Sequence, residues 1–134
     1  VAMERTKARE AAFKALFQLE YQDGAEEAIN YALEEYDLKN RLKRRVAQTV
    51  QGTKLNQGEI DELISAHLKT GWKLSRLAIT DRVILRLSVY EMCFAENKLD
   101  PPIAINEALK LAKLYGSSDT SGKFINGVLS AIAK

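Results

Sequence analysis

The most continuous apolar stretch of the chain is Thr80–Glu96, TDRVILRLSVYEMCFAE. Val83, Ile84, Leu85, Leu87, Val89, Tyr90, Met92, Cys93 and Phe94 leave it almost no polar face, which predicts a helix enclosed by other helices. The run is too long for an ordinary strand and too interrupted by charge to span a bilayer. Thr80 is expected to cap its start, with Asp81 in the first turn where the helix dipole favours an anion. Arg82 and Arg86, one turn apart, are expected to mark a strip facing water.

The remaining segments alternate with the helical period. Ala8, Ala12, Ala15, Leu16 and Leu19 form a stripe on a first helix from about Met3 to Tyr21, and Phe13, Phe17 and Tyr21 form an i, i+4 ladder beside it. Ile29, Ala32, Leu33 and Tyr36 define a second helix, and Leu42, Val46, Thr49, Val50 and Thr53 a third. Ile60, Leu63, Ile64 and Leu68 define a fourth. Beyond the central run, Pro101 and Pro102 stop helical continuation. Ile105, Ala108, Leu109 and Ala112 predict a sixth helix from about Ile103. Phe124, Ile125, Val128, Leu129 and Ile132 predict a last one, capped from Asp119, Thr120 or Ser121. The expected fold is all-α, with two small bundles sharing one core and about seven helices. The expected halves are residues 1–68 and 69–134. Lys69–Gly71 is the hinge, and Trp72, Leu74 and Leu77 form a short helical turn at the junction.

Composition narrows the function classes. Of 134 residues, 46% are apolar and 28% charged, an ordinary balance for a soluble domain. No segment reads as a membrane span or signal peptide, and the lone Cys93 suits a reducing cytoplasm, so a cytoplasmic location is expected. His67 is the only histidine, which leaves no paired metal ligands and no nucleophile–base set, so neither a cofactor nor catalysis is expected. Gly116–Lys123, GSSDTSGK, differs from a P-loop by one extra residue, by Phe124 in place of Ser/Thr, and by the helix preceding it.

Net charge is only +2, but it is segregated. Glu20–Asp37 holds seven acids and no Lys or Arg, whereas Lys39–Lys54 holds six bases and no acid. Such segregation suits either an anionic partner or solvated faces with mutual ion pairs. On the first helix, Arg5, Lys7, Arg9 and Lys14 are interleaved with Phe13, Phe17 and Tyr21. Cations neutralise phosphates and aromatic faces stack on unpaired bases, a pattern that suits single-stranded RNA. The competing reading makes the phenylalanines core and the bases solvated ends.

Three segments carry a family resemblance: RTKAREAAFKALFQLEYQ, WKLSRL followed by TDRVILRLSVYE, and PPIAINEALKLAKLYG…GKFINGVLSAI. Together they resemble the NusB family of transcription antitermination factors over nearly the whole chain. The resemblance implies an all-helical fold of two halves without enzymatic activity. It implies binding to boxA, a single-stranded RNA element of ribosomal RNA leaders. It further implies a heterodimer with NusE, a ribosomal small-subunit protein, and a place in the RNA polymerase antitermination complex that supports ribosomal RNA synthesis. The family's basic motif falls on Arg5, Lys7 and Arg9, with Thr6 where a base is often found, and its aromatic position falls on Phe17. The KFxNG motif falls on Lys123, Phe124, Asn126 and Gly127, an RNA-facing element in which Phe124 is equally open to a core role. The acidic position falls on Asp119, in a loop one residue longer than the family's usual form, near RNA or partner contacts. Asp81 and Arg82 fall in the region expected to meet NusE.

The resulting expectation is one concave surface formed by the basic first helix and the last loop. A helical protein–protein scaffold with incidental RNA binding is the alternative. A homodimer that hides the first helix until RNA or NusE competes is a third reading. The chain ends shortly after FINGVL, so the methyltransferase that follows a similar domain in some RNA-modifying enzymes is not expected.

Overall fold

The computed structural model describes residues 2–134, with side chains from Glu4 onward. Among these residues are seven α-helices: α1 (Ala2–Gln18), α2 (Ala25–Leu33), α3 (Asn40–Leu55), α4 (Gln57–Ala66), α5 (Ile79–Val89), α6 (Pro101–Tyr115) and α7 (Ser121–Ala133). A 3-10 turn, Leu74–Arg76, precedes α5, and a π-helical turn, Tyr90–Phe94, follows it. The all-α class and the helix number match the periodicity. α5 packs against α1, α3, α4, α6 and α7, and Ile84, Leu85, Leu87 and Val89 have no exposed surface. A single buried cluster takes side chains from all seven helices.

Several local expectations change. The central run is not one helix to Glu96: the backbone widens after Val89, with Ala95 N–H donating to the Tyr90 carbonyl at 2.9 Å. Such a π-turn is a single widened turn within a helix. Here Tyr90 lies directly on Gly52 of α3, where any Cβ would collide with its ring. The helix starts one residue before Thr80, and Ala78 occupies the cap position without a side-chain cap. α1 stops at Gln18 because Glu20 and Tyr21 close onto Phe17 and Gln18 through i→i−3 bonds. Pro101 and Pro102 begin α6 rather than delaying it, since the first helical turn needs no donor from them.

The strip expected to face water is the largest correction. Arg86 forms a bidentate pair with Asp61 of α4, Nε to Oδ1 at 2.8 Å and Nη2 to Oδ2 at 3.0 Å. Its Nη1 also donates to Glu20 at 3.2 Å. Arg82 donates to the other Glu20 oxygen at 2.9 Å, and to the Leu74 and Ser75 carbonyls at 3.4 Å each. The arginine stems lie on apolar surface while carboxylates from distant segments satisfy their heads, so both side chains are largely covered.

Candidate nucleic-acid interface

The first turns of α1 place Arg5 and Lys7 in solvent, and neither has an ion-pair partner among the described residues. Arg9 turns inward instead. Its Nε donates to Glu91 at 3.0 Å and its Nη1 lies 3.6 Å from Glu107, with all three side chains largely buried. Burial pushes the Glu91 carboxyl above its ordinary range, against the pull of Arg9. The expected row of three free cations is therefore two free cations and one ion-paired arginine that joins α1 to the π-turn and α6.

The other end of α1 is aromatic. Phe13, Phe17 and Tyr21 form the expected ladder, with centroids 6.2 and 5.4 Å apart. Phe13 is buried and stacks on Tyr115 of α6 at 4.9 Å, while Tyr21 is 66% exposed. Phe17, Tyr21, Tyr31, Tyr115 and Thr80 line a shallow apolar groove of about 440 Å³. Lys14 at its edge bonds Glu35 at 2.8 Å and sits 5.1 Å from the Tyr36 ring. The Glu35 bond and Tyr36 raise the Lys14 pKa, so its charge is held there. Burial and the Glu10 carboxylate, which accepts from the Tyr36 hydroxyl at 3.0 Å, push the Tyr36 phenol up to about 12 despite Lys14.

The loop before α7 is organised by Asp81, which is buried. Its Oδ2 accepts from Ser117 Oγ at 2.7 Å and from Ser121 Oγ at 3.2 Å, and its Oδ1 accepts from Ser117 N–H at 3.2 Å. Asp81 and Arg82, the residues expected to face a partner, are thus internal ties, because their charges are saturated by Ser117, Ser121 and Glu20. Asp119 and Lys123 are exposed, and exposed Asn126 accepts from Ser130 at 2.9 Å. Phe124 is half-buried and stacks on Trp72, with centroids 5.5 Å apart and planes 23° apart. Trp72, expected as a junction plug, is 56% exposed. With Lys73, Arg76, Ser117 and Phe124 it lines a depression of about 390 Å³. Local sequence does not mark Tyr31 and Tyr115 as groove residues, which the packing of α2 and α6 beside α1 assembles, and it does not mark the stacking of Trp72 on Phe124.

The two expected halves of the surface do not meet as expected. Arg5 lines a cleft with α3, whereas Phe124 lines the Trp72 depression, and the residues lining the two have none in common. Arg5 and Phe17 are about 18 Å apart along α1 at 1.5 Å per residue. It is the aromatic end of α1, not its basic start, that neighbours the last loop: Thr80 of the aromatic groove and Asp81 beneath the loop are consecutive. No group of three or more His, Cys, Asp or Glu side chains that could hold a metal occurs among the described residues, and no helix there is long and apolar enough to cross a membrane.

The described residues form an all-α protein with free cations at the start of α1 and an open aromatic groove between the end of α1, α2 and α6, a surface suited to single-stranded nucleic acid. The NusB family profile matches residues 6–134. The chain is 47% identical to the transcription antitermination protein NusB of Acetivibrio thermocellus, over 98% of this chain and 90% of the relative. It is 46% identical to that of Bacillus subtilis, over 97% and 95%. Among solved structures it resembles NusB of T. maritima, with TM-score 0.86 and 41% identity over 96% of this chain and 89% of that one. It equally resembles a chain in the crystal structure of antitermination factors NusB and NusE in complex with dsRNA, with TM-score 0.86 and 30% identity over 99% and 98%. The chain belongs to the NusB family of transcription antitermination factors.

Proposed function

We propose that this chain binds single-stranded boxA RNA together with a NusE partner, and acts within the RNA polymerase antitermination complex to support ribosomal RNA transcription. The observation that carries the reading is the layout of α1, where the unpaired Arg5 and Lys7 lead along the helix to Phe17, with the exposed Tyr21 in the turn beyond its end. Phosphate contacts at the basic end supply affinity without sequence choice, and stacking in the groove supplies base preference. A NusB relative crystallised with NusE and dsRNA supports the choice of partners. Lys123, Phe124 and Asn126 join the surface as a second element, reached by a strand that continues past Thr80 and Tyr115. Trp72 shields one face of Phe124, so Trp72 shares the stacking role. Asp81 and Arg82 act on partner binding indirectly, by holding the Ser117–Ser121 loop and the Leu74–Arg76 turn, while exposed Asp119 makes direct contact.

Binding of labelled boxA and scrambled RNA, with and without NusE, tests this reading. Tighter retention of boxA, strengthened by NusE and weakened in R5Q/K7Q, is the expected result. Equal retention of both RNAs under all conditions would favour the protein scaffold. Sedimentation of the free chain in the same series tests the homodimer, which RNA or NusE is expected to dissociate.

A further inference from the structure

The basic run Lys39–Arg45 has no part in the surface described so far. α3 buries Leu42, Val46, Val50 and Thr53. Arg41, Arg44, Arg45 and Gln48, at i, i+3, i+4 and i+7, share the opposite face and are all exposed. Arg41 and Arg45 line, together with Arg5 of α1, a cleft of about 440 Å³. Arg41, Arg44 and Arg45 continue into an adjoining depression of about 530 Å³ that also includes Gln48, Thr49 and Asn97. Arg5 and the α3 arginines thus share one surface.

This arrangement is unfavourable for the isolated chain. Arg41 and Arg45 are like charges one turn apart, and the first turn of α3 carries no acid to offset Arg41 against the helix dipole. None of Arg5, Arg41, Arg44 and Arg45 forms an ion pair among the described residues. The acids that border them are Glu4, Glu91 and Glu96; Glu91 is ion-paired with Arg9 and feels Arg45 only at longer range. A bound polyanion would relieve the repulsion. The exposed large apolar side chains, Tyr21, Tyr31, Leu55, Trp72, Ile103 and Leu114, are absent from the lining of both hollows. Protein interfaces are centred on such side chains, whereas a phosphodiester backbone needs only charge and hydrogen-bond donors.

We infer that the Arg41–Arg44–Arg45 face of α3 is a second phosphate-binding track for the same RNA strand, continuous with Arg5 and distinct from the last loop. This rests on the RNA reading above. Gln48 and Asn97 supply amide groups beside the track, able to pair with bases or sugar hydroxyls.

The test is the binding of a single-stranded boxA oligonucleotide to the full chain across a salt series. Removing three phosphate contacts in R41Q/R44Q/R45Q is expected to make the slope of log K against log salt shallower by about 2, and to weaken binding about a hundredfold near 0.1 M salt. R41K/R44K/R45K is expected to keep most of the slope, and K54Q, at the other end of α3 and lining neither hollow, to leave it unchanged. The glutamine variant is expected to melt no lower than the parent, because repulsion is removed; if it misfolds, Arg44→Gln alone reads the effect as a slope change of about 0.7. An unchanged slope in the variants, with the parent binding normally, overturns this inference and leaves the α1 reading standing. Loss of NusE binding with unaltered RNA affinity overturns it in favour of a protein contact. Failure of the parent to bind RNA at all overturns both.

Discussion

Arg86 and Asp61 meet through two parallel N–H···O bonds, of 2.8 and 3.0 Å, that join the central helix to α4. The same guanidinium reaches Glu20 at 3.2 Å, so one side chain ties together α4, α5 and the segment after α1. Removing it leaves Asp61 without its partner and Glu20 with Arg82 alone, in a partly covered site. Arg86→Ala is expected to lower the unfolding free energy by about 3 kcal/mol. Arg86→Lys is expected to recover only part of that loss, because an ammonium cannot reproduce the planar fork. Urea titration of the two variants measures both.

Asp81 makes a different demand. It is buried with three donors aimed at its carboxylate, two of them from Ser117. An amide at this position removes the charge that all three donors satisfy and, with its N–H2 toward Oγ of Ser117 and Ser121, makes both hydroxyls reverse from donor to acceptor. Asp81→Asn is therefore expected to cost about 1–3 kcal/mol and to speed hydrogen exchange at residues 117–121, with the rest of the chain little changed. Ser117→Ala is expected to loosen the same loop at lower cost.

The Lys14–Tyr36 pair makes stability fall on the alkaline side, as do the Tyr90 phenol and Cys93 thiol that burial also raises. Tyr36 titrates at about 12 in the folded chain, against an ordinary value of 10.0, and Lys14 is raised from 10.5. Both groups hold their protons more tightly when folded. Their contribution is complete below about pH 10 and is lost as pH rises through the folded values, because the unfolded chain releases protons first. The melting temperature is expected to fall between pH 10 and about 12. K14Q/Y36F is expected to show a flatter profile over that interval in a pH series of thermal melts.

Trp72, the only tryptophan, reports on the last loop through its stacking on Phe124. RNA that reaches Lys123 and Asn126 is expected to change its emission, and K123Q is expected to weaken that change. RNA that saturates the chain without altering Trp72 fluorescence would remove the last loop from the contact surface.

Some features were legible locally because they depend on local spacing. The buried stripes of α1, α3 and α7 follow from side-chain period, and the Phe13–Phe17–Tyr21 ladder follows from i, i+4 geometry. The long-range ion pairs were not legible. Nothing around Arg9 announces Glu91, and nothing around Arg82 announces Glu20, since those partners are 82 and 62 residues away in the chain. A charged residue on a helix looks solvated until another segment brings a counter-charge to it.

The order of apolar and polar residues by itself determined that this chain is a set of amphipathic helices around the Val83–Val89 segment, with clusters of basic residues on α1 and α3. The tertiary structure decided which of those bases are free. Packing draws Arg9, Arg82 and Arg86 onto carboxylates from distant segments and leaves Arg5, Arg41, Arg44 and Arg45 together on one open surface. The physical reason is range: helical period is set by neighbours three and four residues away, whereas the state of a charge is set by whichever segment folds beside it.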